Sequence, residues 1–100
     1  MIKTTALYGH PTDPSAFESY YAEMHMPLVA KMPRVRRAEA ARVVATPDGS
    51  KPAYYRIFEF WFDSLADMQA AFGSPEGQEI VADTVNFATG GLTILISETS

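Results

Sequence analysis

The sequence predicts a single α+β domain in which an antiparallel sheet carries helices on one face. Three observations support this fold class. The chain has 100 residues, which suits one domain spanning 1–100. Short β-prone runs alternate with two stretches of helical periodicity. Prolines, glycines and helix-capping residues separate these segments from one another.

The N-terminal segment predicts a strand followed by a long helix. Met1–Tyr8 has the apolar, β-prone character of a strand. After a short turn, Asp13 fits an N-cap, and Pro14 occupies the first helical position, where its missing N–H costs nothing. The first helix is therefore expected over Pro14–Met32.

A proline lies inside this predicted helix. Because Pro27 cannot donate a hydrogen bond to the carbonyl of Glu23, a kink or a restart is expected just after His25. Apolar residues recur at helical spacing and predict one buried stripe, formed by Phe17, Tyr20, Tyr21, Met24 and Leu28.

The middle of the chain predicts a hairpin. The second strand is expected over Val35–Thr46, and Pro47–Pro52 is typical of a loop. Ala53–Phe62 predicts the third strand, because it is dense in tyrosine, phenylalanine, isoleucine and tryptophan.

The C-terminal part predicts a split helix and a closing strand. Ser64–Asp67 has the shape of a capping box and begins a helix that ends at Gly73. A second piece begins at Pro75 and runs to about Phe87, and Leu92–Ser97 forms the last strand. The resulting order, βαββαβ, is that of a ferredoxin-like fold.

The aromatic strand also predicts self-association. Tyr54–Phe62 carries large apolar side chains on both parities, so both of its faces require burial. The helices cover only one face of the sheet. A homodimer in which the sheet of a second copy covers the other face is the simplest solution.

Charge and cysteine content exclude several classes of function. The net charge of −4 argues against binding to nucleic acid and to anionic membranes, both of which require a basic surface. The absence of cysteine excludes disulfides, thiolate catalysis and thiolate-bound metals, and it is compatible with a reducing cytoplasm. No signal peptide or membrane span is predicted, so a cytoplasmic protein is expected.

His25 is the first candidate for catalysis. It lies four residues after Tyr21 on the predicted helix, so the two side chains are neighbours. A partly buried imidazole beside a phenol could transfer a proton near neutral pH. The alternative is a structural core histidine held by hydrogen bonds. His10, in the turn after the first strand, is the weaker candidate.

Other residues could line a pocket for an apolar ligand. We expect Tyr8, Phe17 and Trp61 to contribute aromatic surface, although most aromatics serve core and dimer packing. Glu59 would enter the same cleft as His25 if its parity faces the helices; otherwise its carboxylate lies at an edge in water.

No pattern in the sequence indicates a metal or cofactor. The two histidines stand fifteen positions apart, without the close spacing of a metal site. Glycine-rich phosphate loops and a G-x-S-x-G nucleophile elbow are absent. We therefore expect no metal and no cofactor.

Several segments, in order and with compatible spacing, resemble the EthD family. The resemblance spans nearly the whole chain, and its most specific part is the Tyr-x3-His-x-Pro-Leu segment. The matching pieces are Phe17-Glu18-Ser19-Tyr20-Tyr21, His25-Met26-Pro27-Leu28, Met32-Pro33, Phe62-Asp63-Ser64-Leu65, Ser74-Pro75-Glu76, Ala82-Asp83 and Asn86-Phe87.

This resemblance implies a dimeric α/β barrel, in which the sheets of two subunits face each other. It implies an auxiliary role in degradation, since the family takes its name from ethyl tert-butyl ether degradation. Related barrels include polyketide cyclases, muconolactone isomerases and monooxygenases with or without haem. By analogy, the resemblance also favours a functional role for His25.

The function expected is that of a small-molecule enzyme, or of an accessory enzyme, acting on an apolar compound by cofactor-free proton transfer. His25 would be the base or acid, and Tyr21 would orient it or stabilise a developing oxyanion. The alternative is a non-catalytic module that holds a hydrophobic ligand or serves in a stress response. In a third interpretation, His25 is the axial ligand of a haem.

Overall fold

Strands and helices follow one another in the predicted βαββαβ order, and the computed structural model describes all 100 residues. No helix combines the length and the apolar character that crossing a bilayer requires. The strands are β1 (Ile2–Tyr8), β2 (Arg37–Arg42), β3 (Arg56–Phe62) and β4 (Leu92–Glu98), and the helices are α1 (Pro14–Tyr20), α2 (Met26–Val29), α3 (Leu65–Gly73) and α4 (Pro75–Asp83). A π-helical turn, Tyr21–His25, joins α1 to α2, and a 3-10 turn, Thr84–Asn86, follows α4.

The four strands form one antiparallel sheet in the order β2-β3-β1-β4. This topology confirms the predicted ferredoxin-like fold. Along β3, Phe58, Phe60 and Phe62 are buried on the side of the helices. Because side chains alternate across a strand, Glu59 and Trp61 lie on the opposite face of the sheet.

The first helix is interrupted where a break was predicted, but the irregular segment precedes the proline. The N–H of Met26 bonds to the carbonyl of Tyr21, five residues back, which is π-helical geometry. The extra residue in this turn advances the helical phase by one position. His25 and Val29 are therefore buried, whereas Met24, which was predicted to be buried, is exposed.

The second strand is shorter than the predicted Val35–Thr46 and forms an edge of the sheet. All six residues of Arg37–Arg42 are exposed. Single backbone bonds continue the pairing at each end, from Arg36 to the carbonyl of Trp61 (2.8 Å) and from Val43 to that of Tyr55 (3.0 Å).

Serine caps begin both pieces of the split helix. Ser64 Oγ accepts from the N–H of Asp67 at 3.1 Å, and Ser74 Oγ accepts from that of Gly77 at 3.0 Å. At Gly77 the two helices approach closely, since a Cβ there would lie 2.1 Å from the carbonyl oxygen of Ala71. Helix α4 ends at Asp83, earlier than predicted, because the chain tightens into the 3-10 turn.

The core lies between the sheet and the helices, and aromatic rings dominate it. Its centre is Phe62, which has no exposed surface. The twelve buried core residues are Tyr8, Phe17, Tyr21, Val29, Met32, Phe58, Phe60, Phe62, Met68, Ala71, Ile80 and Phe87.

Candidate functional site

The side chain of His25 lies in this core and is only 2% exposed. Its Nδ1 atom is 2.9 Å from Oδ2 of Asp83, the last residue of α4. A carboxylate can only accept a hydrogen bond, so Nδ1 carries the proton and donates a hydrogen bond to Asp83. This bond fixes both the tautomer and the orientation of the imidazole.

Two further donors surround the carboxylate of Asp83. Its Oδ1 atom accepts from the hydroxyl of Tyr20 at 2.6 Å and from Nδ2 of Asn86 at 3.0 Å. Burial alone would raise the pKa of Asp83, but the hydrogen bonds from Tyr20, Asn86 and His25 outweigh it and lower that pKa below its ordinary value. Asp83 is therefore a fixed anion behind the imidazole.

The same environment keeps His25 neutral at pH 7. Burial lowers its pKa below the ordinary 6.5, and the hydrogen bond to Asp83 offsets only part of this effect. With the proton on Nδ1, the second nitrogen, Nε2, has a free lone pair. Of the two ring nitrogens, only Nδ1 has a hydrogen-bond partner in the protein, and Nε2 therefore has none.

His25 lines a cavity of about 50 Å³ between the helices and the sheet. Ten of its thirteen lining residues are hydrophobic, and none is a lysine, arginine, aspartate or glutamate. Since a water molecule needs roughly 10–15 Å³ of such space, the cavity has room for a small functional group. The lining residues that carry hydroxyl groups are Thr4, Tyr8 and Thr84.

Tyr21 contacts His25 through its ring, with the two centroids 5.8 Å apart. Its buried hydroxyl has no hydrogen-bond partner, although the guanidinium of Arg56 lies 4.6 Å from the ring centroid. Burial raises the pKa of Tyr21 to about 12, so this group stays protonated at neutral pH and can donate a hydrogen bond. Tyr21 does not line the His25 cavity, and Asp83 performs the orienting role that the sequence assigned to Tyr21.

The two aromatic ligand-binding candidates on the helix face differ in position. Tyr8 lines the His25 cavity, whereas Phe17 does not. Phe17 packs edge-on against Tyr8 and stacks on Tyr21, with both pairs of centroids 5.6 Å apart. Phe17 is therefore part of the aromatic core and does not contact the cavity.

The two candidates on the other face of the sheet are remote from this cavity. The condition that would bring Glu59 beside His25 is not met, because the pleat of β3 turns Glu59 away from the helices. Its carboxylate pairs with Lys3 at 2.9 Å and accepts from the Thr5 hydroxyl at 3.1 Å. Trp61 lies on the same face, beneath the cations of Lys3 and Arg37.

The other histidine, His10, lies outside the His25 cavity. It is exposed, and its Nε2 is 2.7 Å from the carbonyl oxygen of Pro52.

No three His, Asp or Glu side chains converge on a point where they could bind a metal ion. A haem does not fit at His25, because even benzene occupies a cavity of about 150 Å³, three times the volume available there.

Asp83 is the residue of this candidate site that sequence reasoning missed. It appeared among the segments that resemble a known family, but no role was inferred for it. A physical signal was present, since an acid in the last turn of a helix opposes the helix dipole and requires a compensating partner.

The buried imidazole predicts a specific loss of stability in acid. The pKa of His25 is 6.5 unfolded and lower in the folded protein, so between these values the unfolded chain binds more protons. The free energy of unfolding should therefore fall as the pH drops below about 6.5, by at most about 1.4 kcal/mol per pH unit for this one group, and show no His25 slope above it. Urea denaturation from about pH 8 to about pH 5 measures this slope. The His25→Gln variant should lose it; an unchanged slope in that variant would contradict the assignment.

Comparison with known proteins identifies close relatives over the whole chain. The sequence model of the EthD domain matches residues 9–91. An 11.0 kDa protein encoded in the thcB–thcC intergenic region of Rhodococcus erythropolis is 42% identical over 98 residues, which are 98% of this chain and 94% of that protein. The crystal structure of an EthD family protein from Bacillus halodurans is 34% identical, with a TM-score of 0.93 over 100% of this chain and 99% of that one.

A more distant structure shares the fold alone. A dimeric protein with a ferredoxin-like fold from Bacteroides fragilis superimposes with a TM-score of 0.69 over 98% of this chain and 95% of that one. Its sequence identity is 16%.

Proposed function

Because this chain belongs to the EthD family, whose domain matches residues 9–91, we propose that it is a small-molecule enzyme of that family, with His25 as its general base and acid. The observation that supports this proposal is that His25 lines an apolar cavity while Asp83 holds its Nδ1, which leaves Nε2 without a hydrogen-bond partner in the protein. A base within reach of a substrate and oriented by a carboxylate is the arrangement that proton transfer requires.

The proposed reaction is a proton transfer at a carbon next to a carbonyl group. Nε2 takes the proton from that carbon, and the electron pair of the broken C–H bond moves onto the carbonyl oxygen as an enolate. The imidazolium that forms is stabilised by the anionic Asp83. It then returns the proton to the same carbon, or to the far end of a double bond conjugated with the enolate, so that no oxidant, metal or cofactor is consumed.

The proposed chemistry excludes ethyl tert-butyl ether itself as the substrate. Ethyl tert-butyl ether has no carbonyl group and no acidic C–H bond, so it is not a substrate for this reaction. We propose an accessory role, on carbonyl compounds formed from an apolar parent, in the cytoplasm.

Hydrogen exchange with solvent tests the proposal without knowledge of the natural substrate. Acetone, 2-butanone, 2-octanone and acetophenone are incubated with the protein in D2O, and deuterium at the carbon next to the carbonyl is measured by proton NMR. We expect incorporation with at least one ketone above the buffer blank. Blank-level exchange with all four would overturn the proposed reaction.

We also propose that Tyr21 donates a hydrogen bond to the enolate oxygen. A buried hydroxyl without a partner costs about 1–3 kcal/mol, and a substrate oxygen there would remove that cost. The role requires the cavity to extend past Tyr8 towards Tyr21 when substrate binds, over the 6.0 Å between their ring centroids.

The Tyr21→Phe variant should therefore keep or slightly raise the free energy of unfolding and yet lower the rate of exchange. Tyr20→Phe is the matched comparison, because it removes a hydroxyl that does have a partner, Asp83, and should therefore lower the free energy of unfolding. Urea denaturation and the D2O assay give both quantities. An exchange rate unaffected by Tyr21→Phe would remove this residue from the mechanism.

We further propose that the protein is a homodimer that pairs through the face of the sheet opposite the helices. That face carries Ile57 and Trp61, both half-buried in the single chain, between charged neighbours. The related fold from Bacteroides fragilis is dimeric. Light scattering at micromolar concentration should give twice 11.0 kDa, and an 11.0 kDa particle would reject the dimer.

A non-catalytic module for a hydrophobic ligand is the second candidate. Ten of the thirteen residues that line the His25 cavity are hydrophobic, and such a lining would also hold an apolar ligand without catalysing a reaction. This interpretation predicts that ketones bind without deuterium incorporation.

A further inference from the structure

A second, larger hollow adjoins the His25 cavity. It is a groove of about 440 Å³ between the edge strand β4 and the corner formed by α3 and α4. Most of its lining is aliphatic or aromatic, and none of its eight lining residues is charged. Its lining residues include Phe72 and Gly73 from α3, Val81 from α4, and Ile94 and Ile96 from β4.

The groove and the cavity share walls. Thr4, Phe72, Val81 and Ile94 line both of them. The groove therefore lies next to the cavity that His25 lines. A molecule whose end enters that cavity past the shared side chains would lie with its remainder along the groove.

Exposed aliphatic side chains mark the groove as a place for an apolar partner. Val81 is 42% exposed, Ile94 46% and Ile96 57%, so that three large side chains around one hollow face water. Contiguous apolar surface of this kind is typical of a binding site.

The two volumes define what would fit. The inner chamber, about 50 Å³, is smaller than the cavity of about 150 Å³ that holds benzene, so it admits only a small end group. By the same measure the groove, about 440 Å³, has room for roughly two to three ring-sized groups. The absence of charged residues from both linings disfavours a charged substrate.

We propose that this groove is the binding subsite for the body of the substrate. The substrate class is an uncharged molecule with a small carbonyl-bearing end, which enters the chamber at His25, and an extended alkyl or aryl body, which lies between β4 and α3–α4. This inference rests on the proposed function of His25, and binding measurements separate the two.

A series of straight-chain methyl ketones, from 2-butanone to 2-nonanone, tests the subsite by calorimetric or NMR titration. Affinity for the wild-type protein should rise with chain length by up to about fourfold per methylene, the value for a fully buried CH2 group. Gly73→Leu should weaken the long ketones and not 2-butanone, because a Cβ at Gly73 meets no atom within 4 Å and the new side chain fills only the groove.

Ile96→Lys provides a second variant, since it places a charge in the groove and Ile96 does not line the inner chamber. It should abolish the dependence of affinity on chain length. Leu65→Lys is the matched control: Leu65 is 47% exposed, lies outside all the hollows described, and should leave that dependence unchanged.

Three outcomes would overturn the subsite. Affinity independent of chain length in the wild type, no binding of any ketone, or a length dependence that survives both variants would do so. Dissociation of a dimer by Ile96→Lys in light scattering would assign the groove to a second copy of the chain. Length-dependent binding without deuterium incorporation would leave the subsite standing while the proposed reaction fails.

Discussion

Replacing His25 with glutamine is expected to reduce deuterium incorporation into ketones by about 10²–10⁴-fold, the usual contribution of a general base. Glutamine can still donate a hydrogen bond towards Asp83, so the fold should be retained. Its amide has no nitrogen that takes a proton, and the reaction therefore loses its base. The D2O assay measures the rate, and urea denaturation confirms that the variant is folded.

His10→Gln is the matched control, because it changes the other histidine in an identical way. His10 is exposed and bonds to the carbonyl of Pro52, away from the cavity. It should exchange at the wild-type rate. Wild-type exchange in the His25 variant, or an equal loss in the His10 variant, would show that His25 is not the base.

Phe87→Ala is expected to have the largest effect on stability, a loss of about 3–5 kcal/mol in the free energy of unfolding. Phe87 is 3% exposed, and its ring centroid lies 4.5 Å from that of His25. Truncation would leave a cavity among rings that cannot collapse together. The other aromatic partners of this ring are Tyr8, Phe17, Tyr20 and Tyr21.

The size of this loss matters because a domain has only about 5–15 kcal/mol of stability in total. Urea denaturation measures it, and Val85→Ala, two residues away and 85% exposed, should change the free energy of unfolding by no more than about 0.5 kcal/mol. A loss below about 1 kcal/mol for Phe87→Ala would mean that the aromatic cluster does not hold His25 in place.

Local signals were sufficient to predict the elements of this fold. Asp13 acts as the N-cap before Pro14, as predicted, and the second piece of the split helix begins at Pro75, as predicted. The alternation of β3 was clear, yet the sequence could not show which parity faces the helices. Both parities contain large apolar side chains, and the choice depends on packing against elements far away in sequence. For this reason the sequence left open whether Glu59 lies beside His25 or at an edge in water.

The predicted buried face of the first helix was wrong at Met24, for a different reason. Straight α-helical spacing predicts Met24 on the buried face, but the π turn at Tyr21–His25 shifts the centre of that face to His25 and Val29. Leu28 is partly buried and packs against the core, as predicted. Pro27 indicated an irregularity without indicating its type. Such turns occur frequently at functional sites, and here the shift brings His25 to the cavity.

The pairing of His25 with Asp83 could not be read from the sequence, because 58 positions separate them. Only the packing of α4 against the first helical segment brings them together. The candidate base was thus predictable from its residue type and position, whereas its orienting carboxylate required the structure.

The protonation state of His25 tests the central claim most directly, and it needs no substrate. In ¹⁵N NMR spectra of the wild-type protein at pH 7, we expect the proton on Nδ1 and an unprotonated Nε2, with imidazolium forming only below the ordinary pKa of 6.5. The Asp83→Asn variant should lose this strict preference for the Nδ1–H tautomer. An Nε2–H tautomer or an imidazolium at pH 7 in the wild type would mean that His25 presents no free base to the cavity, and it would contradict the proposed mechanism.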